Sequence, residues 1–274
     1  MTPDMADSAQ RTVRKAASHP AFRMLARSGY AANGVIHLLI GAIVLAVGAG
    51  GGGGGGESDP TGAFRAIAEA PLGFVALWVL AVGLAALGLW YLVKGVLVDV
   101  DDARKRWMKR IGEWAKAVVY VAIGYSAASV ALGAGSSGDE SAQNASSTVL
   151  SLPGGPVLLG IAGLVIVGVG AGFVFKGVTR SFREKLRMPS GATGRIVTVL
   201  GIAGYVAKGI ALAIVGVLVI TAAIQVDPEE AGGMDRALSA LIDLPLGPWL
   251  LGAAGVGFIA YGVYCFFRAR YARL

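Results

Sequence analysis

Long uninterrupted runs of apolar residues dominate the chain, and most charged residues lie in the segments between these runs. A helix needs about 20 mostly apolar residues to cross a bilayer, and six runs reach that length. None of them alternates apolar and polar residues, as the strands of an outer-membrane barrel do. The pattern therefore predicts six transmembrane helices, with cores near residues 31–49, 72–93, 115–134, 156–176, 204–223 and 248–267.

The composition agrees with a protein whose surface faces lipid. Of the 274 residues, 55% are hydrophobic and only 15% are charged, whereas a soluble domain carries about 25% charged residues. The mean hydropathy of +0.67 also excludes a disordered chain. A single cysteine excludes a scaffold of disulfides within the chain.

Basic and acidic residues lie on opposite sides of the predicted membrane. Basic clusters occupy the N-terminal flank, the second and fourth connections and the C-terminal end, whereas the other connections contain only Arg65 and Arg236 among ten acids. Because Lys and Arg are retained on the cytoplasmic side, we predict a multi-pass protein of the plasma (inner) membrane with both termini cytoplasmic. Retention of basic residues on the cytoplasmic side and their attraction to anionic lipid headgroups then explain the net charge of +7. No motif favours a nucleic-acid partner.

A two-helix unit occurs three times along the chain. The first helices open at Gly29, Gly112 and Gly204, and each reaches a further glycine twelve residues later. The second helices begin at proline, with glycine two and seventeen residues later and a basic residue at twenty-three. Two spans per unit return the chain to the same side, so the copies are parallel rather than inverted repeats. We therefore predict an all-α integral membrane protein whose three two-helix repeats form a pseudo-threefold bundle.

The repeats divide the chain into seven predicted segments. These are a cytoplasmic tail (1–26), repeat 1 (27–97), a basic linker (98–108), repeat 2 (109–180), a second basic linker (181–195), repeat 3 (196–270) and a short cytoplasmic tail (271–274). On the opposite side, the glycine run at 50–56 predicts flexible slack. Residues 63–68 and 235–241 have the spacing of interfacial amphipathic turns.

Two sets of repeated residues have structural roles in this arrangement. Glycine inside a membrane helix lets neighbouring backbones approach closely, which predicts helix packing at Gly29, Gly41, Gly88, Gly112, Gly124, Gly170, Gly204, Gly216 and Gly262. The basic residues that end the second helices are Lys94, Lys176 and Arg268. We predict that they reach the headgroups as interfacial anchors. The same glycine faces also suit association between copies or with a membrane partner.

These motifs resemble the family known as domain of unknown function 1206, whose members have three tandem pairs of transmembrane helices. The resemblance covers roughly residues 27–270. It is carried by the openings Gly29-Tyr30 and Gly204-Tyr205 and by the proline-x-glycine starts of the second helices. The family usually has arginine at the fifth position of the opening, where this chain has Asn33, Lys116 and Lys208. The resemblance implies the three-pair fold and no particular activity.

The first helix of each repeat carries polar residues on one helical face. If these faces converge, Asn33, Lys116 and Lys208 form a ring near the cytoplasmic side, with His37 and Tyr120 in a layer above it. Ionisable residues within spans are costly and often functional, so the ring is a candidate site for a small anion or a lipid headgroup. Hydrogen bonds between helices, or a lysine that reaches the headgroups, are structural alternatives for these residues.

Catalytic signatures are absent from the sequence. The H-E-x-x-H, G-x-S-x-G and Walker strings do not occur, and Cys265 is interpreted as a packing residue. The carboxylates lie in loops without the spacing of a metal site. We expect no enzyme, no cofactor and no metal. The leading hypothesis is a non-catalytic membrane scaffold or accessory subunit, and the alternative is a carrier or channel for a small anion or lipid headgroup.

Overall fold

Six long apolar helices form the body of the molecule. The computed structural model describes residues 20–49, 59–98, 102–135, 137–242 and 244–273. Most of the N-terminal tail and the glycine run at 50–56, for which flexible slack is predicted, lie outside the described residues. The six long helices are α1 (Pro20–Gly48), α3 (Gly73–Val96), α4 (Ala103–Ala131), α6 (Gly155–Val178), α7 (Gly191–Gln225) and α9 (Gly247–Tyr271). They confirm the prediction of a six-span helical membrane bundle.

Each repeat also contains a short helix in the connection between its two spans. These helices are α2 (Pro60–Ala68), α5 (Gly138–Leu150) and α8 (Met234–Ile242). Short 3₁₀ helices follow α6 and α7 at Ser181–Lys185 and Pro228–Glu230. We call the end of the bundle that carries α2, α5 and α8 the acidic end. The opposite end, where the second span of each repeat finishes in Lys94, Lys176 or Arg268, is the basic end.

The short helices pack against the bundle rather than only lying along its surface. Asp59 caps α2, because its carboxylate accepts a 2.7 Å hydrogen bond from the Gly62 amide. Phe64 of α2 and Leu238 of α8 are buried in the main apolar core. The sequence predicts turns at these two places but does not predict α5. That helix is mostly polar, with Ser146 as its buried residue, so apolar periodicity gives no signal for it.

The first span of each repeat extends further towards the basic end than its predicted apolar core. α1 begins at Pro20, α4 at Ala103 and α7 at Gly191, about three to four turns before residues 31, 115 and 204. The carboxylate of Asp102 starts α4 by accepting hydrogen bonds from the amides of Arg104, at 2.9 Å, and Lys105, at 3.3 Å. Hydropathy locates only the apolar part of such helices, so it misses their polar first turns.

The tightest helix pairs lie between repeats. α3 packs on α4, α6 packs on α7, and α9 packs on α1. The second span of each repeat therefore packs on the first span of the next, and repeat 3 closes the cycle on repeat 1. In repeats 1 and 3 the two spans of one repeat also pack on each other, whereas α4 and α6 of repeat 2 are at most marginally in contact among the described residues.

Glycines make the contacts between repeats close. On α6 and α7, a Cβ added to Gly170 would lie 2.7 Å from the carbonyl oxygen of Gly209, and one added to Gly163 would lie 2.9 Å from that of Gly216. Real Cβ atoms do not approach backbone this closely, so the two helices cross with only hydrogens between them.

The other two pairs repeat this crossing. A Cβ at Gly41 of α1 would lie 2.7 Å from the Gly255 oxygen of α9. On α3 and α4, a Cβ added to Gly88 would lie 2.7 Å from the side chain of Val121 and 3.2 Å from the carbonyl oxygen of Ala117, and one added to Gly124 would lie 3.2 Å from that of Ala81. The three crossings occupy equivalent repeat positions, which gives the bundle its pseudo-threefold character.

The second span of each repeat starts from the same left-handed turn. Leu72, Gly154 and Leu246 precede α3, α6 and α9 with φ angles of 64°, 75° and 68°. A Cβ at the next residue, Gly73 or Gly155, would collide with carbonyl groups of the preceding short helix. The proline-x-glycine motif is therefore a tight return from the short helix into the membrane.

An apolar core fills the centre of the bundle. It receives fully buried side chains from several spans, among them Ile36 of α1, Leu84 of α3 and Phe258 of α9. Ala127 of α4 and Ala211 of α7 belong to the same core. Five of the six spans thus share one cluster, and α6 packs outside it against α7.

Candidate functional site

Three residues of the predicted polar ring meet inside the bundle. The Nζ of Lys208 on α7 lies 3.0 Å from Nε2 of His37 on α1, and Nδ1 of His37 lies 2.8 Å from the main-chain oxygen of Asn33. A carbonyl oxygen only accepts hydrogen bonds, so Nδ1 carries the hydrogen and donates it. Nε2 is then the acceptor for the Lys208 ammonium. These contacts connect α7 to α1.

Helix α9 completes this network. The Nδ2 of Asn33 donates a 3.3 Å hydrogen bond to the sulfur of Cys265. The ring of Tyr261 lies 4.7 Å from the His37 ring centre, and the Lys208 ammonium lies 4.7 Å from the Tyr261 ring centre. The ammonium is therefore held by an imidazole and by the face of an aromatic ring, an attraction that strengthens where water is excluded.

A second network joins α9 to α1, α3 and α4. The guanidinium of Arg268 donates a 3.0 Å hydrogen bond to the hydroxyl of Tyr91, and that hydroxyl lies 3.1 Å from the hydroxyl of Tyr30. The Arg268 guanidinium carbon lies 4.3 Å from the centre of the Tyr30 ring. Tyr120 stacks in parallel on Tyr91, with 5.4 Å between the ring centres. Arg268, predicted as an interfacial anchor, is thus placed among three tyrosines.

The five predicted ring residues are divided between separate contacts. Asn33, His37 and Lys208 form the first network, and Tyr120 belongs to the second. Lys116 pairs with Glu113 one turn earlier on the same helix, at 2.8 Å, and its ammonium lies 5.5 Å from the Tyr91 ring centre. Repeat 2 is irregular at Glu113, and this acid is the reason that Lys116 has a partner of its own.

The cations that end the second spans make equivalent contacts in two of the three interfaces. Lys176 of α6 lies 4.8 Å from the ring centre of Tyr205 on α7. Arg268 of α9 covers Tyr30 of α1 in the same way. In both cases the cation covers the aromatic residue that opens the next repeat.

The third interface differs because its aromatic residue stands one position later. Trp114 of α4 donates a 3.3 Å hydrogen bond from its indole nitrogen to the main-chain oxygen of Leu92. Lys94 instead lies 6.0 Å from the ring centre of Tyr91 on its own helix. One residue of displacement in the sequence therefore changes the partner of the terminal cation.

Several residues of these networks are not predicted from the sequence, namely Tyr30, Tyr91, Tyr261 and Cys265. A signal for three of them exists in the repeat. Positions 16, 20 and 23 after the second-helix proline share one helical face, and in repeat 3 they are Tyr261, Cys265 and Arg268. The sequence signal for this face therefore lies in the second helices and not in the first helices.

Positive charge accumulates at the basic end of repeat 2. Partial desolvation lowers the pKa of Lys185, which follows α6, and the nearby positive charges of Lys116 and Lys94 lower it further. The carboxylate of Glu113 acts in the opposite direction. Lys176 lies within electrostatic range of Lys185 and Lys116. We call Lys94, Lys116, Lys176 and Lys185 the basic cluster.

Other features of the described residues offer less chemistry. They contain no group of three His, Cys, Asp or Glu side chains that could hold a metal ion. A mostly apolar groove of about 600 Å³ runs along the contact between α1 and α3, with Val35 on one side and Val79 on the other. The polar networks and the basic cluster are therefore the parts of the molecule that can hold helices together or attract an anion.

Three parallel hairpins, joined to one another by close glycine crossings and by buried polar networks, define a multi-pass membrane protein with three repeats. The chain belongs to the family described as Domain of Unknown Function (DUF1206), whose sequence model matches residues 28–97, 111–180 and 203–272. This match confirms both the predicted family and the three tandem repeats.

Comparison with individual proteins gives a relative without an assigned activity. The chain is similar to the uncharacterized protein YxxB of Bacillus subtilis (strain 168), with 28% identity over 272 residues, 95% of this chain and 94% of the relative. No solved structure matches the chain. The comparisons therefore support a membrane protein of unknown function.

Proposed function

We propose that the protein is a non-catalytic membrane scaffold or accessory subunit, in which the buried polar residues hold the helices together. One observation carries this proposal: buried polar side chains of different spans are bonded to one another in two networks. Lys208, His37 and Asn33 connect α7, α1 and α9, and Arg268 and Tyr91 connect α9 to α3. A buried polar network that is satisfied in this way makes a bundle rigid.

The apolar core supports the same proposal. Ile36, Leu84 and Phe258 are each at most 1% exposed and occupy the space between spans. A solute that moved along the bundle would have to displace them, and interiors packed at this density do not open without cost. The polar networks are suited to joining helices and are not continued through this core.

The experiment that tests the proposal measures transport and stability in Lys208→Met. The wild-type protein, reconstituted in vesicles, is expected to carry chloride or inorganic phosphate no faster than protein-free vesicles do. The variant is expected to fold but to lose about 1–3 kcal/mol of stability, because His37 loses its donor in a buried site. Wild-type flux that Lys208→Met abolishes would contradict the scaffold proposal.

A second candidate function is a carrier for a small anion or a lipid headgroup. The basic cluster favours it, since Lys94, Lys116 and Lys185 bring like charges together where an anion would be attracted. The flux measurement separates the two candidates. A carrier requires wild-type transport that depends on these lysines, whereas a scaffold does not.

We also propose that the basic end faces the cytoplasm and that the protein resides in the plasma membrane. The asymmetry of Lys and Arg supports this orientation. Cysteine labelling in a Cys265→Ser background tests it, with Thr148→Cys at the acidic end and Thr179→Cys at the basic end. An impermeant maleimide added to intact cells is expected to label the first variant only, and the reverse pattern would invert the orientation.

A further inference from the structure

The two spans of repeat 2 leave an open space that the other repeats fill. In repeat 3, a Cβ added to Gly204 would lie 2.6 Å from the Cα of Tyr261, and in repeat 1 a Cβ at Gly29 would collide with Leu87. The equivalent residue of repeat 2 is Gly112. No other heavy atom of the described residues lies within 4 Å of a Cβ placed there.

The second span of repeat 2 has small residues where the other repeats have large ones. Sixteen and nineteen residues after the proline, repeat 1 has Leu87 and Trp90 and repeat 3 has Tyr261 and Tyr264, and all four are buried. Repeat 2 has Val169, which is 47% exposed, and Gly172, whose added Cβ would meet nothing within 4 Å in the described structure. The side chains that would close the hairpin are missing from the sequence itself.

The resulting groove has apolar walls. On α4 it is lined by Gly112 and by Val119, which is 55% exposed although its equivalent Ile36 is buried. On α6 it is lined by Val169 and Gly172. The buried residues of α4 and α6 lie on the stripes that pack against α3 and α7. We call the space between α4 and α6 the repeat-2 groove.

Three of the four residues of the basic cluster lie at one end of the repeat-2 groove. Lys116 belongs to α4, Lys176 belongs to α6, and Lys185 follows α6 in the connection. Both walls therefore carry positive charge at this end, and the charges of Lys185, Arg268 and Lys116 all act on Lys176. Glu113 offsets one of these charges through its contact with Lys116. The remaining excess is unfavourable near hydrocarbon unless an anion is present.

We propose that the repeat-2 groove binds one anionic phospholipid, with its phosphate among Lys116, Lys176 and Lys185 and its acyl chains along Val119 and Val169. The two parts of this ligand match the two parts of the site, a charged end at headgroup level and apolar walls at the depth of the chains. The inference holds whether the protein is a scaffold or a carrier, because it concerns a bound lipid and not a transported one.

Charge distinguishes this ligand from a second copy of the protein. All copies insert with the same polarity, so a symmetric dimer at the groove would bring two basic clusters together at the same depth. Like charges in such a contact oppose association. A phospholipid with a negative headgroup instead neutralises the cluster and fills the groove.

The test is native mass spectrometry of the full chain in detergent with added phosphatidylglycerol or phosphatidylcholine. The wild-type protein is expected to retain one phosphatidylglycerol in preference to phosphatidylcholine. The double variant Lys116→Gln/Lys185→Gln should bind phosphatidylglycerol about thirtyfold more weakly, since each lysine near a lipid surface contributes about 1 kcal/mol. Equal retention of both lipids by the wild-type protein would overturn the proposal.

A matched control removes two cations on the other side of the bundle. Arg27 of α1 and Arg270 of α9 are exposed and lie on the pair of helices opposite the repeat-2 groove. Arg27→Gln/Arg270→Gln changes the net charge by the same amount and should leave the bound phosphatidylglycerol unchanged. If the control variant lost phosphatidylglycerol binding to the same extent, the effect would be due to general surface charge, and a specific site would be contradicted.

A second variant tests the groove without changing any charge. Gly172→Leu should fold, because the added side chain enters open space one turn deeper in the bundle than Lys176. It should weaken phosphatidylglycerol binding while binding of glycerol 3-phosphate stays as in the wild type. Unchanged retention of phosphatidylglycerol by this variant would show that the acyl chains do not use the groove and would overturn the proposal. A dimer that the leucine disrupts would overturn it in favour of a second copy.

Discussion

Repeats 1 and 3 are closed hairpins, whereas repeat 2 is an open one. All three keep the crossing with the neighbouring repeat. Among the described residues, the first and third also keep an extensive contact between their own two spans, and the second keeps at most a marginal one. The difference follows from a few positions. Leu87 and Trp90, or Tyr261 and Tyr264, fill the closed hairpins, and repeat 2 lacks such side chains. The contacts between repeats are thus the constant part of this architecture, and the contact within a repeat is variable.

The largest expected difference concerns the glycine that opens each repeat. Gly204→Leu should prevent a stable bundle, because even a Cβ would collide with the backbone of Tyr261 and overpacking costs about 1–3 kcal/mol or more. Gly112→Leu should change stability by less than about 0.5 kcal/mol, the usual range at an open position. Thermal unfolding in detergent, followed by tryptophan fluorescence, measures both. Similar losses for the two variants would mean that repeat 2 is closed as well.

A smaller difference in the free energy of unfolding is expected between variants of the cations that end the second spans. Arg268→Gln should cost about 2 kcal/mol, since it removes a charged hydrogen bond to Tyr91 and a cation–π contact. Lys94→Gln should cost less than about 0.5 kcal/mol, because its ammonium is partly exposed and lies 6.0 Å from its nearest ring centre. Chemical denaturation in mixed micelles gives the comparison. A larger loss of stability for Lys94→Gln than for Arg268→Gln would contradict the expected difference between these two cations.

The smallest expected effect lies in the left-handed turns before the second spans. Repeats 1 and 3 have Leu72 and Leu246 there, and repeat 2 has Gly154. Gly154→Leu should destabilise by less than about 0.5 kcal/mol, because the strain of a side chain at positive φ is partly offset by a less flexible unfolded chain and nothing in the described structure surrounds this position. Leu72→Gly should be close to neutral, since the relief of strain is offset by a more flexible unfolded chain. A stabilising Gly154→Leu would mean that the turn favours leucine in all three repeats.

The spans and repeats could be predicted because they depend on local properties of the chain. The length of each apolar run and the spacing of glycine, proline and basic residues can be determined without knowing which helices are neighbours in the bundle. The pairing of helices could not be predicted in this way. Gly41 and Gly88 indicate a close contact, but nothing in the sequence says whether the partner belongs to the same repeat or to the next one.

The candidate site was predictable only in part. Asn33 and His37 are one turn apart on α1, so their proximity follows from helical periodicity. Lys208 and Lys116 are both repeat equivalents of Asn33, but only Lys208 contacts His37, while Lys116 pairs with Glu113. Arg268 and Tyr91 are at helix ends, where interfacial residues are ordinarily expected. Only the packing of α9 on α1 and the proximity of α3 turns these ends inward.

The seam between α1 and α9 joins the first and last spans of the chain. During synthesis α1 enters the bilayer long before its partner exists, so the backbone around Gly34 and Gly41 faces lipid or the insertion machinery while the remaining spans are made. The contact between repeat 3 and repeat 1, which closes the bundle, therefore forms late in biogenesis. A chain that ends before α9 leaves Gly34 and Gly41 of α1 without the backbone that covers them in the complete bundle.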